Sequence, residues 1–114
     1  RNLVVNSWAI WCPFCVHELP DFATFAQQEK ANTTVIAIAR AHSEQKITQY
    51  VQDNDLRGEI VWVSDEKDIF HQEATNGVPA MPVTLFLGTA EQSVRKLGAL
   101  TLEQMQETLQ EVSS

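Results

Sequence analysis

The chain has few cysteines, few basic residues and no long apolar run, and each shortage limits the functions that the protein can have. Only two of its 114 residues are cysteine, so one pair carries all of its thiol chemistry. Lysine and arginine number 8 against 15 acidic residues, and the formal net charge of -7 argues against nucleic acid or an anionic membrane surface as a partner. No stretch approaches the ~18–20 apolar residues of a membrane span.

Repeats, low-complexity tracts and Pro/Gly/Ser-rich linkers are also missing, which predicts a single domain over residues 1–114. Hydrophobic residues make up 44% of the chain and supply enough apolar material for a core. The chain opens almost directly in a strand, at Arg1-Asn2-Leu3-Val4-Val5, with no signal peptide. We therefore expect a mature or trimmed domain.

Strand and helix patterns alternate along the sequence. Strands are predicted at 3–8, 33–39, 60–63, 83–87 and 94–97, and helices at 12–30, 43–54, 68–75 and from 101 onward. Helices between strands force parallel neighbours, and the closing hairpin adds one antiparallel edge. The prediction is an α/β fold with a mixed five-stranded sheet, four parallel strands plus one antiparallel edge strand, and helices on both faces.

The first helix has an apolar stripe at spacings of three and four residues. Its predicted buried face consists of Val16, Leu19, Phe22, Ala23 and Ala26. Pro20 lies inside this helix, where one backbone hydrogen bond is lost and a kink is expected.

Trp11-Cys12-Pro13-Phe14-Cys15 holds both cysteines at the junction between the first strand and the first helix. The positive end of a helix dipole favours a thiolate, so Cys12 becomes a nucleophile near neutral pH. Cys15, one turn later, is placed to attack a mixed disulfide formed on Cys12. A purely structural bridge is the alternative, but closing so short a loop stabilises little. The pattern predicts a dithiol/disulfide exchange centre.

Four segments resemble the TlpA/ResA/CcmG-like thiol-disulfide oxidoreductases of the thioredoxin superfamily. They are the stretch VNSWAIWCPFC at 5–15, Glu18-Leu19-Pro20, the loop VPAMPVT at 78–84, and the helix-strand pair from Ser43 to Val63, which resembles that family's central insertion. Asn6 stands where thioredoxins proper carry a buried aspartate, as in TlpA-like members. The resemblance implies a thioredoxin-like fold with this central insertion.

The resemblance also implies roles for residues outside the cysteine pair. Glu18 matches an acid that takes or gives the proton of the resolving thiol, although a solvated helix glutamate is an equal alternative. Pro82 is expected in cis, facing the cysteines, with Met81 offering its backbone to a substrate; an ordinary trans proline is the alternative. Pro79 is expected only to shape this loop.

Trp11 is expected to form an apolar rim for partner docking, and Trp8 to pack beneath the site. Pro13 and Phe14 lie between the sulfurs and should affect the basicity of Cys12. The predicted substrate-binding set is Trp11, Pro13, Phe14, Met81 and Pro82.

The function predicted on these grounds is an enzyme that reduces partner-protein disulfides without a cofactor. The resemblance implies protein disulfides or dithiols as partners, a membrane thiol carrier that re-reduces the pair, a monomeric state and an extracytoplasmic location. That location is the bacterial periplasm or a membrane anchor facing it, with the signal or anchor outside this sequence.

Two alternatives remain open. Cys-Pro-aromatic-Cys also resembles the glutaredoxin centre, although Trp11 and the central insertion argue against it. A metal (copper) handling module would need Cys12, Cys15 and His17 as ligands. Helical geometry points His17 away from Cys12 and no fourth ligand is obvious, so we predict a surface histidine and no metal site.

Overall fold

The predicted elements are all present in the computed structural model, which describes residues 1–56, 58–77, 80–89 and 92–113. The elements in chain order are β1 (Asn2–Trp8), α1 (Pro13–Gln28), β2 (Thr33–Arg40), α2 (Glu44–Asp53), β3 (Ile60–Asp65), α3 (Ile69–Thr75), β4 (Val83–Leu87), β5 (Ser93–Leu97) and α4 (Leu102–Ser113). None of the helices within the described ranges is long and apolar enough to cross a membrane.

The five strands form one mixed sheet in the order β3-β2-β1-β4-β5. β1 pairs in parallel with β2, and β2 with β3, whereas β4 runs antiparallel to both β1 and β5. The predicted mixed sheet is confirmed, but the predicted position of the antiparallel strand at an edge is wrong. β4 is apolar and mostly buried, while β5 alternates exposed with half-buried residues, so the more apolar strand takes the inner place.

Helices cover both faces of the sheet. Because successive strand residues point to opposite faces, Asn6 and Trp8 meet α1 and α2, while Ser7 meets α3. The core lies on the first of these faces and includes Val4, Trp8, Phe22, Phe25, Phe86 and Met105. α4 also packs there, so closely that a Cβ at Gly88 would collide with the carbonyl oxygen of Val112.

α1 is continuous through Pro20, but its buried face differs from the predicted one. Leu19, Phe22 and Ala26 are buried as expected, whereas Val16 and Ala23 are only half-buried. The buried stripe instead includes Cys15, Glu18 and Phe25. Relative to the prediction, the buried face of α1 is turned toward α4, which packs against this helix. As a result, the carboxyl group of Glu18 is buried.

The helix starts follow capping chemistry that is readable in the sequence, with one exception. The Ser43 hydroxyl accepts from the Lys46 N–H, and Thr101 and Gln104 cap α4 reciprocally. α3 differs, because Asp65 and not Asp68 accepts the N–H groups of its first two residues. Asp68 is left free for another contact.

Candidate active site

Cys12 and Cys15 form a disulfide at the N-terminus of α1. Cys12 is the N-cap residue and Pro13 opens the helix, where its missing N–H leaves no partner unsatisfied. The Cys15 N–H points at the Cys12 sulfur at 3.2 Å, and the Cα atoms of the two cysteines are 5.3 Å apart. After reduction, this N–H and the helix dipole both favour a thiolate on Cys12.

The two sulfurs differ in access. Cys15 is fully buried, whereas Cys12 keeps 6% of its surface exposed and lines a groove of about 480 Å³. An incoming disulfide therefore meets Cys12 first.

The groove joins most of the predicted substrate-binding residues to Cys12. Trp11, Pro13, Phe14 and Met81 line it, and Trp11 and Phe14 are 60% and 69% exposed. Exposed aromatic rings at this edge offer apolar surface to a partner.

The Met81–Pro82 peptide bond is cis, as the resemblance predicted. Pro82 itself is buried, and its carbonyl accepts the Gly98 N–H at 2.8 Å. Val78 and Pro79, the earlier part of this predicted loop, lie outside the described residues. The loop therefore brings Met81, and not the ring of Pro82, into the groove lining.

Glu18 is buried, so its interpretation as a solvated helix glutamate is wrong. Its Oε1 accepts from the Asn6 side-chain amide at 3.2 Å, and its Oε2 accepts from the Leu100 N–H at 2.6 Å. Burial raises the pKa of Glu18 to about 7, against the lowering effect of these two hydrogen bonds, and nearby Asp21 raises it a little further. Asn6 also donates to Thr84 on β4 and so fixes this carboxyl against the centre of the sheet.

Sequence reasoning missed four residues that line the groove: Arg40, His71, Gln72 and Gly77. His71 is buried on α3 with its Nδ1 2.7 Å from the Ser7 hydroxyl. Burial lowers the pKa of His71, and Arg40 lowers it further. No local signal marks His71. Arg40 could have been found, because it ends a strand predicted to run parallel to β1, whose own end leads into Cys12.

His42 is a further residue beside the site that the sequence did not predict there. Its Nε2 accepts the Ile10 N–H at 2.9 Å, just before the cysteines in the chain, and its ring packs edge-on to Trp8. Burial lowers the pKa of His42, which favours the neutral ring that this contact requires. Trp8 is fully buried, as predicted.

His17 is exposed on α1, which confirms the prediction of a surface histidine. In the part of the chain that the structure describes, no group of three or more His, Cys, Asp or Glu side chains is arranged to hold a metal ion. Cys12 and Cys15 are instead joined to each other.

The Redoxin family model matches residues 1–110. The thiol-disulfide oxidoreductase ResA of Oceanobacillus iheyensis is 25% identical over 99% of this chain, and the sporulation thiol-disulfide oxidoreductase A of Bacillus subtilis is 24% identical over 97%. The chain spans 58% of the length of the first relative and 68% of the second.

Among solved structures, a secreted disulfide oxidoreductase of Mycobacterium tuberculosis, homologous to E. coli DsbE, matches with a TM-score of 0.80. The two are 21% identical, and the match covers 97% of this chain and 81% of that one. This likeness shows the fold, which is thioredoxin-like as predicted. The resemblance to TlpA/ResA-type proteins is likewise confirmed. With the family model matched over residues 1–110, the chain belongs to the Redoxin family.

Proposed function

We propose that this chain is a thiol-disulfide oxidoreductase that exchanges its Cys12–Cys15 pair with partner-protein disulfides, acting as a reductant. The observation that carries the proposal is the asymmetry of the pair. Cys12 faces an open groove and accepts a backbone N–H, while Cys15 lies buried behind it. Two relatives carry the name thiol-disulfide oxidoreductase, which supports the same reaction.

The proposed reaction begins with the reduced pair. The Cys12 thiolate attacks one sulfur of the partner disulfide and forms a mixed disulfide, while the other partner sulfur leaves as a thiolate. Cys15 then loses its proton and attacks the Cys12 sulfur, so that the second partner sulfur leaves. Two electrons pass to the partner, whose disulfide becomes two thiols, and Cys12–Cys15 becomes the disulfide.

We assign the proton of Cys15 to Glu18. This carboxyl group lies on α1 one turn after Cys15, is buried on the same helix face and has a pKa of about 7. A general base works best when its pKa lies near the working pH, because it is then partly ionised and still basic enough to take a proton. The same group returns the proton when the pair is re-reduced.

Substrate contacts belong to the same proposal. Met81, next to the cis bond, offers its backbone to an extended partner segment in the manner of an added strand. Trp11, Pro13 and Phe14 supply apolar contact around Cys12. A monomeric state, an extracytoplasmic location and re-reduction by a membrane thiol carrier rest on the resemblance to TlpA/ResA-type proteins, and one relative of known structure is described as secreted.

The test is capture of the intermediate with glutathione disulfide as the probe. Reduced Cys15→Ser protein should accumulate a glutathione adduct on Cys12, visible as a single mass increase, because the resolving thiol is missing. Cys12→Ser is the matched control and should stay unmodified, since Cys15 is buried. Absence of an adduct on Cys15→Ser contradicts the exchange mechanism.

The direction is tested separately by the reduction potential of the pair against glutathione. A value near ~-270 mV supports a reductant, whereas a value near ~-120 mV indicates a strong oxidant and contradicts the direction proposed here.

A further inference from the structure

The side chain of Arg40 joins three chain segments at the groove. Its Nε and Nη2 donate to the two carboxylate oxygens of Asp68 at 2.7 and 2.6 Å. Its Nη1 lies 2.8 Å from the sulfur of Met81. The guanidinium carbon lies 5.7 Å from the ring centroid of Trp11, within the range of a cation–π contact. One arginine thus contacts the residue before Cys12 and the residue before the cis proline.

Asp68 is held for this contact. It adopts a left-handed backbone with φ 57°, a conformation that costs a non-glycine residue free energy. Its side chain does not cap α3, because Asp65 performs that task. The carboxylate is instead directed at Arg40, and the two side chains are only 24% and 15% exposed.

The two residues that follow Arg40 also make contacts to neighbouring segments. Ala41 is left-handed with φ 53°, and its N–H donates to the Asp65 carbonyl at 2.7 Å. His42 accepts the Ile10 N–H, one residue before the ring that Arg40 covers. The end of β2 therefore contacts both Ile10 and Trp11, directly ahead of Cys12.

Lysine could not replace these contacts. The planar guanidinium binds a carboxylate through two parallel N–H groups, stacks on an aromatic face and still has a donor for the sulfur of Met81. A lysine ammonium is a point charge that neither stacks nor forms the two-pronged bond. These contacts use the flat stacking face and the forked donors that distinguish arginine from lysine.

We propose that Arg40 is a positioning residue that holds Trp11 and Met81 as the lining of a formed groove, and so selects disulfides carried on an extended peptide over small disulfides. This inference rests on the proposed function. A small disulfide needs only the Cys12 sulfur, whereas a peptide must also lie against Trp11 and the Met81 backbone. Losing the arginine should therefore penalise the peptide more.

The experiment compares reduced wild type with Arg40→Lys on two probes. One is a nine-residue alanine-rich peptide whose central cysteine is in a disulfide with glutathione, and the other is hydroxyethyl disulfide. The ratio of the two second-order rate constants should fall about fivefold, as expected for loss of a contact of cation–π strength. Asp68→Asn, which leaves the arginine in place, should lower the ratio in the same direction by a smaller factor.

A matched control is Arg95→Lys. Arg95 is exposed on β5 and donates to the Ala74 carbonyl at 3.0 Å. The Arg95→Lys variant therefore also loses an arginine hydrogen bond, but one that does not involve Trp11 or Met81. Its ratio should equal that of wild type. Magnetic resonance of the Trp11 indole N–H and the Met81 methyl group supplies a readout that global stability would not move, and both signals should shift in Arg40→Lys but not in Arg95→Lys.

Each outcome decides a different point. A ratio unchanged in Arg40→Lys, or a fall in both rate constants by one factor, overturns the selection by Arg40. Trp11 and Met81 signals that stay at their wild-type positions overturn the positioning role. A wild type that reacts with neither probe overturns the proposed function instead. The spectra then still test whether Arg40 positions Trp11 and Met81.

Discussion

Two carboxyl groups near the disulfide, Glu18 and Asp68, have opposite electrostatic surroundings. Glu18 shares a face of the sheet with Asn6, while Asp68 meets Arg40 on the opposite face. Both accept at least two hydrogen bonds at ordinary distances. Burial nevertheless raises the pKa of Glu18 to about 7, whereas the hydrogen bonds from Arg40 lower the pKa of Asp68.

The difference lies in the charge of the donors. Neutral amides only partly replace the water lost by Glu18, so its charged form stays disfavoured. A guanidinium supplies a full opposite charge to Asp68 and keeps it ionised. Near neutral pH, proton movement is thus available behind the disulfide, while the groove in front keeps a constant ion pair. This contrast yields four predictions, from the largest expected effect to the smallest.

Glu18→Gln tests whether the Glu18 carboxyl group takes the proton of Cys15. The variant cannot accept a proton at this position, so the rate of the resolving step at pH 7 should fall about 100-fold. The rise of that rate with pH through about 7 should also disappear. Stopped-flow measurement of release from the Cys12 mixed disulfide checks both results. Glu107→Gln, an exposed change on α4, is the control and should keep the wild-type profile.

The buried carboxyl group of Glu18 should also lower the stability of the fold as pH rises. Between pH 4.5 and about 7 the folded state holds a proton on Glu18 that the unfolded chain has released. The free energy of unfolding therefore decreases across this window, by about 3 kcal/mol if the pKa shift is fully expressed. Urea unfolding of the oxidised protein from pH 4 to 8 measures this, as the difference between wild type and Glu18→Gln. A difference that does not change with pH contradicts the raised pKa.

The carboxyl group of Asp68 should give the opposite pH dependence of stability. A lowered pKa contributes stability above the unfolded value of about 4, and this stability is lost as pH falls through the folded pKa. Asp68→Asn should cost about 1 kcal/mol at pH 7, a modest value because the pair is partly exposed. The cost should shrink at acidic pH, which unfolding curves at pH 3 and 7 would show. The exposed Glu66→Gln should change little, and an equal cost at both pH values would contradict the ion pair.

Ala41→Gly tests the backbone that joins Arg40 to His42. Glycine removes the penalty of a left-handed residue but adds entropy to the unfolded chain, so the net change should stay within about 0.5 kcal/mol. The same change at Ala31, exposed and outside the left-handed region, should destabilise by about 0.5–1 kcal/mol. Thermal unfolding of the two variants compares them. Equal losses at both positions would contradict the backbone strain assigned to Ala41.

Local chemistry made the starts of several helices predictable, including the one that carries the cysteines. Cys12 at a helix start, the hydroxyl cap of Ser43 and the reciprocal pair of Thr101 and Gln104 depend on residues within one turn of each other. Asp68 shows where such reasoning fails. It stands directly before α3, yet Asp65 accepts the first N–H groups of the helix and the carboxylate of Asp68 is bound by Arg40, 28 residues away.

The sequence by itself determined the alternation of strands and helices and the position of the reactive pair, because periodicity and capping act over a few residues. It also carried the resemblance that predicted a cis bond before Pro82. Only the tertiary structure decided that β4 lies inside the sheet, that Glu18 is buried and that Arg40 reaches Trp11 and Met81. These features depend on which surfaces exclude water from one another, and that is settled only when distant segments pack together.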